Sequence, residues 1–125
     1  MKKIWIVDDD EEMTGAVRLM LKMMGYETSA FFTARAAAQA LMGETQPDLL
    51  ILDINMPEVT GLDLLEFLRR RDDLKNIPVV MLSTEASDVM MDRASTLGAD
   101  AYVSKPVTIE ELERAMSIAF NKRKS

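Results

Sequence analysis

Short apolar runs rich in β-branched residues alternate along the chain with longer stretches of helical period, the pattern of a repeating βα unit. The runs are Ile4-Trp5-Ile6-Val7, Glu27-Thr28-Ser29-Ala30-Phe31, Leu49-Leu50-Ile51-Leu52, Val79-Val80-Met81-Leu82 and Ala101-Tyr102-Val103. The first, third and fourth are apolar throughout, which predicts parallel strands covered on both faces. Between them, Met13, Val17, Met20, Leu21 and Met24 mark one face of a first helix, stopped by Gly25. Thr33 opens an Ala-rich second helix that ends near Gly43. The third carries Leu64, Leu65 and Leu68 and finishes with Arg69-Arg70-Arg71; the fourth runs from a Ser87 cap to Gly98. The fifth starts at Thr108-Ile109-Glu110-Glu111, the spacing of a capping box.

Repetition of β-α without an internal linker predicts a single doubly wound α/β domain with a parallel sheet, spanning residues 1–120. Residues 121–125, Asn121 to Ser125, read as a structureless basic tail, either a natural terminus or the stub of a linker. Met1-Lys2-Lys3-Ile4 leads into a strand pattern rather than a signal peptide, and no apolar run has the length of a membrane span. The expected location is cytoplasmic, with no membrane partner.

Composition narrows the chemistry. A net charge of −6 disfavours attraction to nucleic acid or anionic lipid through the bulk field, so direct nucleic-acid binding is not expected. The chain has no Cys and no His, which removes thiolate and imidazole nucleophiles, bases and metal ligands. Carboxylates, hydroxyls, Lys, Arg and backbone remain, and an oxygen-rich donor set favours a hard cation such as Mg²⁺.

In open α/β sheets ligands bind beyond the carboxyl ends of the strands. Here those ends deliver Asp8-Asp9-Asp10, Asp53-Ile54-Asn55-Met56-Pro57, Ser83-Thr84 and Ser104-Lys105-Pro106. Carboxylates gathered at one edge repel one another, and a divalent cation relieves the repulsion. Lys105 supplies a compact positive charge suited to a transferring phosphoryl group, and Ser83 a hydroxyl. Asp10 suits a helix cap.

The combination Val7-Asp8-Asp9, Leu52-Asp53-x-x-Met56-Pro57, Leu82-Ser83 and Lys105-Pro106, in that order and spacing, resembles the receiver domains of two-component response regulators over essentially the whole chain. The resemblance implies a flavodoxin-like five-stranded sheet of order 2-1-3-4-5 and a phosphorelay role, with Asp53 accepting a phosphoryl group from a histidine kinase. It implies Mg²⁺ held directly by Asp9, Asp53 and the backbone carbonyl of Asn55, with Asp8 acting through water. Lys105 would pair with Asp53 and then with the phosphoryl oxygens, Ser83 would be the switch hydroxyl and Tyr102 the switch aromatic. Further implications are a cis peptide before Pro106, autocatalytic phosphorylation and dephosphorylation, and output to a downstream domain or protein through the face of helix 4, strand 5 and helix 5. The resemblance also leaves room for a homodimer formed on phosphorylation. Asn55 and Glu85 flank the site where phosphoryl lifetime is set, and their identities hint at a short-lived signal. Thr84 departs from the small residue common there and stands to crowd the path of donor or water.

The rival reading is a Mg²⁺-dependent phosphohydrolase working through an aspartyl-phosphate. Such enzymes usually carry a second carboxylate two residues after the nucleophile, where this chain has Asn55, and no cap domain is present. A flavin carrier would need a neutral phosphate loop after the first strand, where Asp8 to Glu12 stand. Elsewhere the expectations are structural. Arg69-Arg70-Arg71 should favour a helix C-terminus and meet solvent, and the 11 Met residues should fill core gaps. Met90 and Met91 cannot both face one core, so one of them should be exposed.

Overall fold

The computed structural model describes residues 2–56, 58–84 and 87–123. Its order is β1 (Lys3–Val7), α1 (Glu11–Met23), β2 (Glu27–Phe31), α2 (Ala34–Leu41), β3 (Leu49–Asp53), α3 (Gly61–Arg70), β4 (Val79–Ser83), α4 (Asp88–Thr96), β5 (Ala101–Ser104) and α5 (Ile109–Lys122). All strands are parallel and the sheet runs β2-β1-β3-β4-β5, the architecture expected from the sequence. The inner strands β3 and β4 are buried at every residue, and β1 from Ile4 onward. Two helical layers account for that.

Alternation along each strand divides the core into two apolar layers. Trp5, Val7, Leu50, Leu52, Val79 and Met81 pack against buried residues of α2, α3 and α4, while Ile4, Ile6, Leu49, Ile51, Val80, Leu82 and Val103 meet those of α1 and α5. Continued one step past the apolar runs, the second series brings Asp8, Asp53 and Lys105 to the α1/α5 side of the carboxyl edge. Register keeps them level, with Val7 beside Leu52 and Asp53 beside Leu82. The polar edge is thus the end of an apolar layer.

Local chemistry sets the helix starts. Asp10 caps α1 by accepting from the amides of Glu12 and Met13, and Thr33 and Ser87 cap α2 and α4. At α5 the expected capping box is only half made. Thr108 accepts from the Glu111 amide, but the Glu111 carboxylate meets the Thr108 hydroxyl instead of its backbone amide. The complete box lies at α3, between Thr60 and Asp63. The helix α5 continues through Lys122, so the expected structureless tail from Asn121 is helical at its start.

Two other expectations are corrected. Met23 and Met42 are exposed rather than core fillers; Met90 packs on the core while Met91 is 39% exposed, as adjacent helical positions require. Arg69 does not meet solvent. It reaches across the amino end of the sheet to Asp100 at 3.0 Å and to the carbonyls of Gly98, Lys75 and Ile77. Arg123 binds the other oxygen of Asp100 at 2.8 Å, and the Val79 amide donates to the same carboxylate at 2.9 Å. Burial, together with the Arg123 charge, pushes Arg69 down to about 10. This network ties α3, the α4–β5 turn and the end of α5 to one buried acid.

Asp100→Asn leaves both guanidinium groups without their counter-charge. Urea denaturation should show a loss of roughly 2–4 kcal/mol, below the full cost for a buried pair because the Arg123 side chain is 25% exposed. Asp73→Asn, which breaks the surface pair with Arg71, should barely move the midpoint.

Candidate functional site

The turn after β1 is held by its own side chains. Asp8 Oδ1 accepts from the Asp10 amide at 2.9 Å, and the Thr14 hydroxyl donates to the Asp10 carbonyl at 2.8 Å. Asp8 is thereby fixed and fully buried, while Asp9 projects to the surface. Asp53 closes β3 at 3% exposure, with the Asn55 amide donating to its Oδ1 at 3.3 Å. Lys105 arrives from the end of β5, its amide bonded to the Ser83 carbonyl at 2.8 Å and its peptide to Pro106 cis, as the family resemblance implied.

The Lys105 ammonium lies 3.3 Å from Asp53 Oδ1 and 2.9 Å from Asp8 Oδ2. The shorter contact is with Asp8, a partner the sequence did not single out. Asp8 Oδ2 is buried with this ammonium against it. Carboxylate oxygens of Asp8, Asp9 and Asp53 all lie within 4.8 Å of one another. Burial, reinforced by the Asp8 charge and only partly offset by Lys105, raises Asp53 to about 6. Burial opposes the charge on Lys105, but Asp8 and Asp53 outweigh it and hold its pKa above the usual lysine value. Three carboxylates face one ammonium, and the excess negative charge is what a dication neutralises. The acid cluster can hold a metal: its donors are all hard oxygens, gathered within reach of a single cation.

The remaining expected residues lie around this centre. Ser83 is buried at the end of β4, and the Asn55 side-chain amide reaches its hydroxyl only at a weak 3.5 Å. Thr84 is exposed at the edge. Tyr102 is half-buried, pairs in register with Met81 and packs on the layer of α2, α3 and α4. Glu85 and Pro57 lie outside the described residues.

The family model of the response regulator receiver domain matches residues 4–117. The chain is 34% identical over 110 residues to the polar-differentiation response regulator DivK of Brucella anthropi, covering 86% of this chain and 87% of that protein. It is 32% identical over 120 residues to the chemotaxis protein CheY of Pseudomonas aeruginosa, covering 96% and 97%. Among solved structures, Vibrio cholerae CheY4 superposes with a TM-score of 0.88 at 28% identity, covering 95% of this chain and 98% of that one. The chain belongs to the response regulator receiver family. It is a phosphorylation-dependent two-component signalling domain of the CheY and DivK type, and the phosphohydrolase alternative finds no support.

The raised pKa of Asp53 has a consequence for stability in metal-free buffer. The folded protein keeps a proton that the unfolded chain releases near 3.8. This contribution is complete below about pH 4 and is lost as pH rises through about 6. Against Asp53→Asn, which cannot titrate, wild type should lose roughly 2–3 kcal/mol across that window in urea denaturation. Parallel curves for the two proteins would contradict the assignment.

Proposed function

We propose that Asp53 is the phosphoacceptor and that Mg²⁺ is the working cation. The observation that carries this reading is the meeting of Asp8, Asp9, Asp53 and Lys105 at one edge, with more negative than positive charge among them. Asp9, Asp53 and the Asn55 carbonyl would hold Mg²⁺, with Asp8 acting through water. Bound there, Mg²⁺ supplies positive charge against the phosphoryl oxygens.

In the forward step an oxygen of ionised Asp53 attacks the phosphorus of a phosphohistidine on a partner kinase. The O–P bond forms as the P–N bond breaks, and the imidazole leaves. Lys105, already between two carboxylates, exchanges part of its pairing with Asp53 for the incoming phosphoryl oxygens. Water attack on the acyl phosphate returns the carboxylate and inorganic phosphate, so the domain limits its own signal. Exposed Thr84 borders the approach of donor and water. Ser83 is the hydroxyl that turns to the new phosphoryl group and Tyr102 the aromatic that follows it. The rearrangement is read on the face of α4, β5 and α5 by a downstream domain or protein, or by a second copy in a phosphorylation-dependent homodimer. The receiver unit, with α5 running through Lys122, works in the cytoplasm without binding nucleic acid itself. Among the described residues no helix is long and apolar enough to cross a membrane.

Intact-mass analysis after incubation with acetyl phosphate and Mg²⁺ should show one added phosphoryl group on wild type and none on Asp53→Asn. Equal labelling of both would place the acceptor elsewhere. In thermal melts, Mg²⁺ at a hundred times its dissociation constant should stabilise wild type by about 2.7 kcal/mol. Asp9→Ala should lose most of that gain.

A further inference from the structure

The loop from Ile54 to Thr60 joins the phosphoacceptor strand to α3 and carries Asn55. Its ends are drawn together by the Gly61 amide, which donates to the Ile54 carbonyl at 3.2 Å. The reciprocal bonds between Thr60 and Asp63, at 3.0 and 3.2 Å, fix the first turn of the helix at the same place. Gly61 is buried here, and a Cβ on it would overlap the Asp53 carbonyl oxygen, standing 2.8 Å from its carbon and 3.1 Å from Ile54 Cα. All are backbone atoms, and the Ile54 amide is bonded to the Leu82 carbonyl at 2.9 Å. No flexible side chain can move aside. Gly61 is not among the glycines of positive φ, so what the position requires is space and not a left-handed backbone.

We infer that Gly61 is a positioning residue of the phosphorylation site: its bare Cα lets α3 close the 54–60 loop directly onto the peptide of Asp53. The strand is pinned between β1 and β4, so any side chain at 61 displaces the loop and the start of α3 instead. Relief needs a shift on the order of 1 Å, since nonbonded heavy atoms settle near 3.5 Å apart. The shift falls on Asn55, whose amide holds Asp53 Oδ1 and whose carbonyl is proposed to face the cation. Ala in place of Gly should therefore weaken divalent-cation binding beyond any effect on folding. The inference rests on the proposed cation site.

Isothermal titration with Mg²⁺ separates positioning from stability. Wild type, Gly61→Ala and Leu68→Ala are compared in trimethylamine N-oxide, which keeps weakened variants folded. Leu68 lies on the buried face of the same helix, seven residues past Gly61, so its truncation weakens the fold without adding an atom against the Asp53 peptide. Gly61→Ala should bind Mg²⁺ about 10–100-fold more weakly, with an altered Asn55 amide resonance, while Leu68→Ala binds as wild type does. Unchanged affinity in Gly61→Ala, or equal losses in both variants, overturns the role of Gly61 alone. Wild type with no saturable Mg²⁺ binding overturns the cation site and the inference together.

Discussion

A partly buried lysine ammonium shared by two buried carboxylates is the constraint on which the site depends. Lys105 cannot leave this position without stranding Asp8 and Asp53 in a low-dielectric environment, and neither acid can lose it cheaply. Yet the lysine does not complete the neutralisation. Burial and the Asp8 charge raise Asp53 to about 6 despite the ion pair, so one ammonium does not offset them. The site is thus held together by attraction and left short of positive charge by the same groups. A dication fits that deficit, and a phosphoryl group would be held by the lysine once the dication is present.

The sheet makes this convergence a consequence of strand periodicity. Each strand that contributes a charge does so at the next same-face position after its apolar residues, so Ile4-Ile6-Asp8, Leu49-Ile51-Asp53 and Val103-Lys105 are three versions of one pattern. Level register across β1, β3 and β4 then needs no special loop to align Asp8 with Asp53. Ser83 belongs to the opposite alternation, with Val79 and Met81, and Tyr102 pairs with Met81. The proposed switch pair therefore grows from the layer of α2, α3 and α4, while the charged centre grows from the layer of α1 and α5. Phosphoryl chemistry on one side can reach the helical layer on the other through the ends of β4 and β5.

Much of this was legible in the residues because it rests on local periodicity. The apolar runs predicted the strands, and Asp10, Thr33 and Ser87 announced their helices through side chains that act within three residues. Asp53, Lys105 and the acid pair after β1 were legible as strand ends. What escaped depends on distance in the chain. Arg69 looked like the solvated end of a helix, and only the fold, which brings the end of α3 beside the turn before β5, shows it bound to Asp100, 31 residues away. The closer approach of Lys105 to Asp8 than to Asp53 depends on strand packing that no spacing encodes. The spacing of Thr60 and Asp63 did carry a capping signal, but Thr108-x-x-Glu111 drew the prediction and forms only half the motif. Gly61 lacked any turn signature, because its requirement comes from a neighbouring peptide.

The two ends of the sheet hold buried charges under opposite rules, and the contrast separates scaffold from site. At the amino edge, Asp100 has both oxygens engaged by guanidinium groups and a strand amide, and the arginines spend their other donors on carbonyls. A closed network of this kind has few open positions for a ligand and resists rearrangement. At the carboxyl edge, Asp8 and Asp53 share one ammonium and Asp9 stands open to solvent beside them. Negative charge in excess of one ammonium, a raised carboxyl pKa and one exposed acid make that edge costly in isolation and responsive to cations and phosphoryl groups. With α3 and α5 anchored through Arg69 and Arg123 at the amino edge, changes at the carboxyl edge have a fixed base to act against. That asymmetry is how a small sheet can be rigid as a scaffold and still switch at one edge.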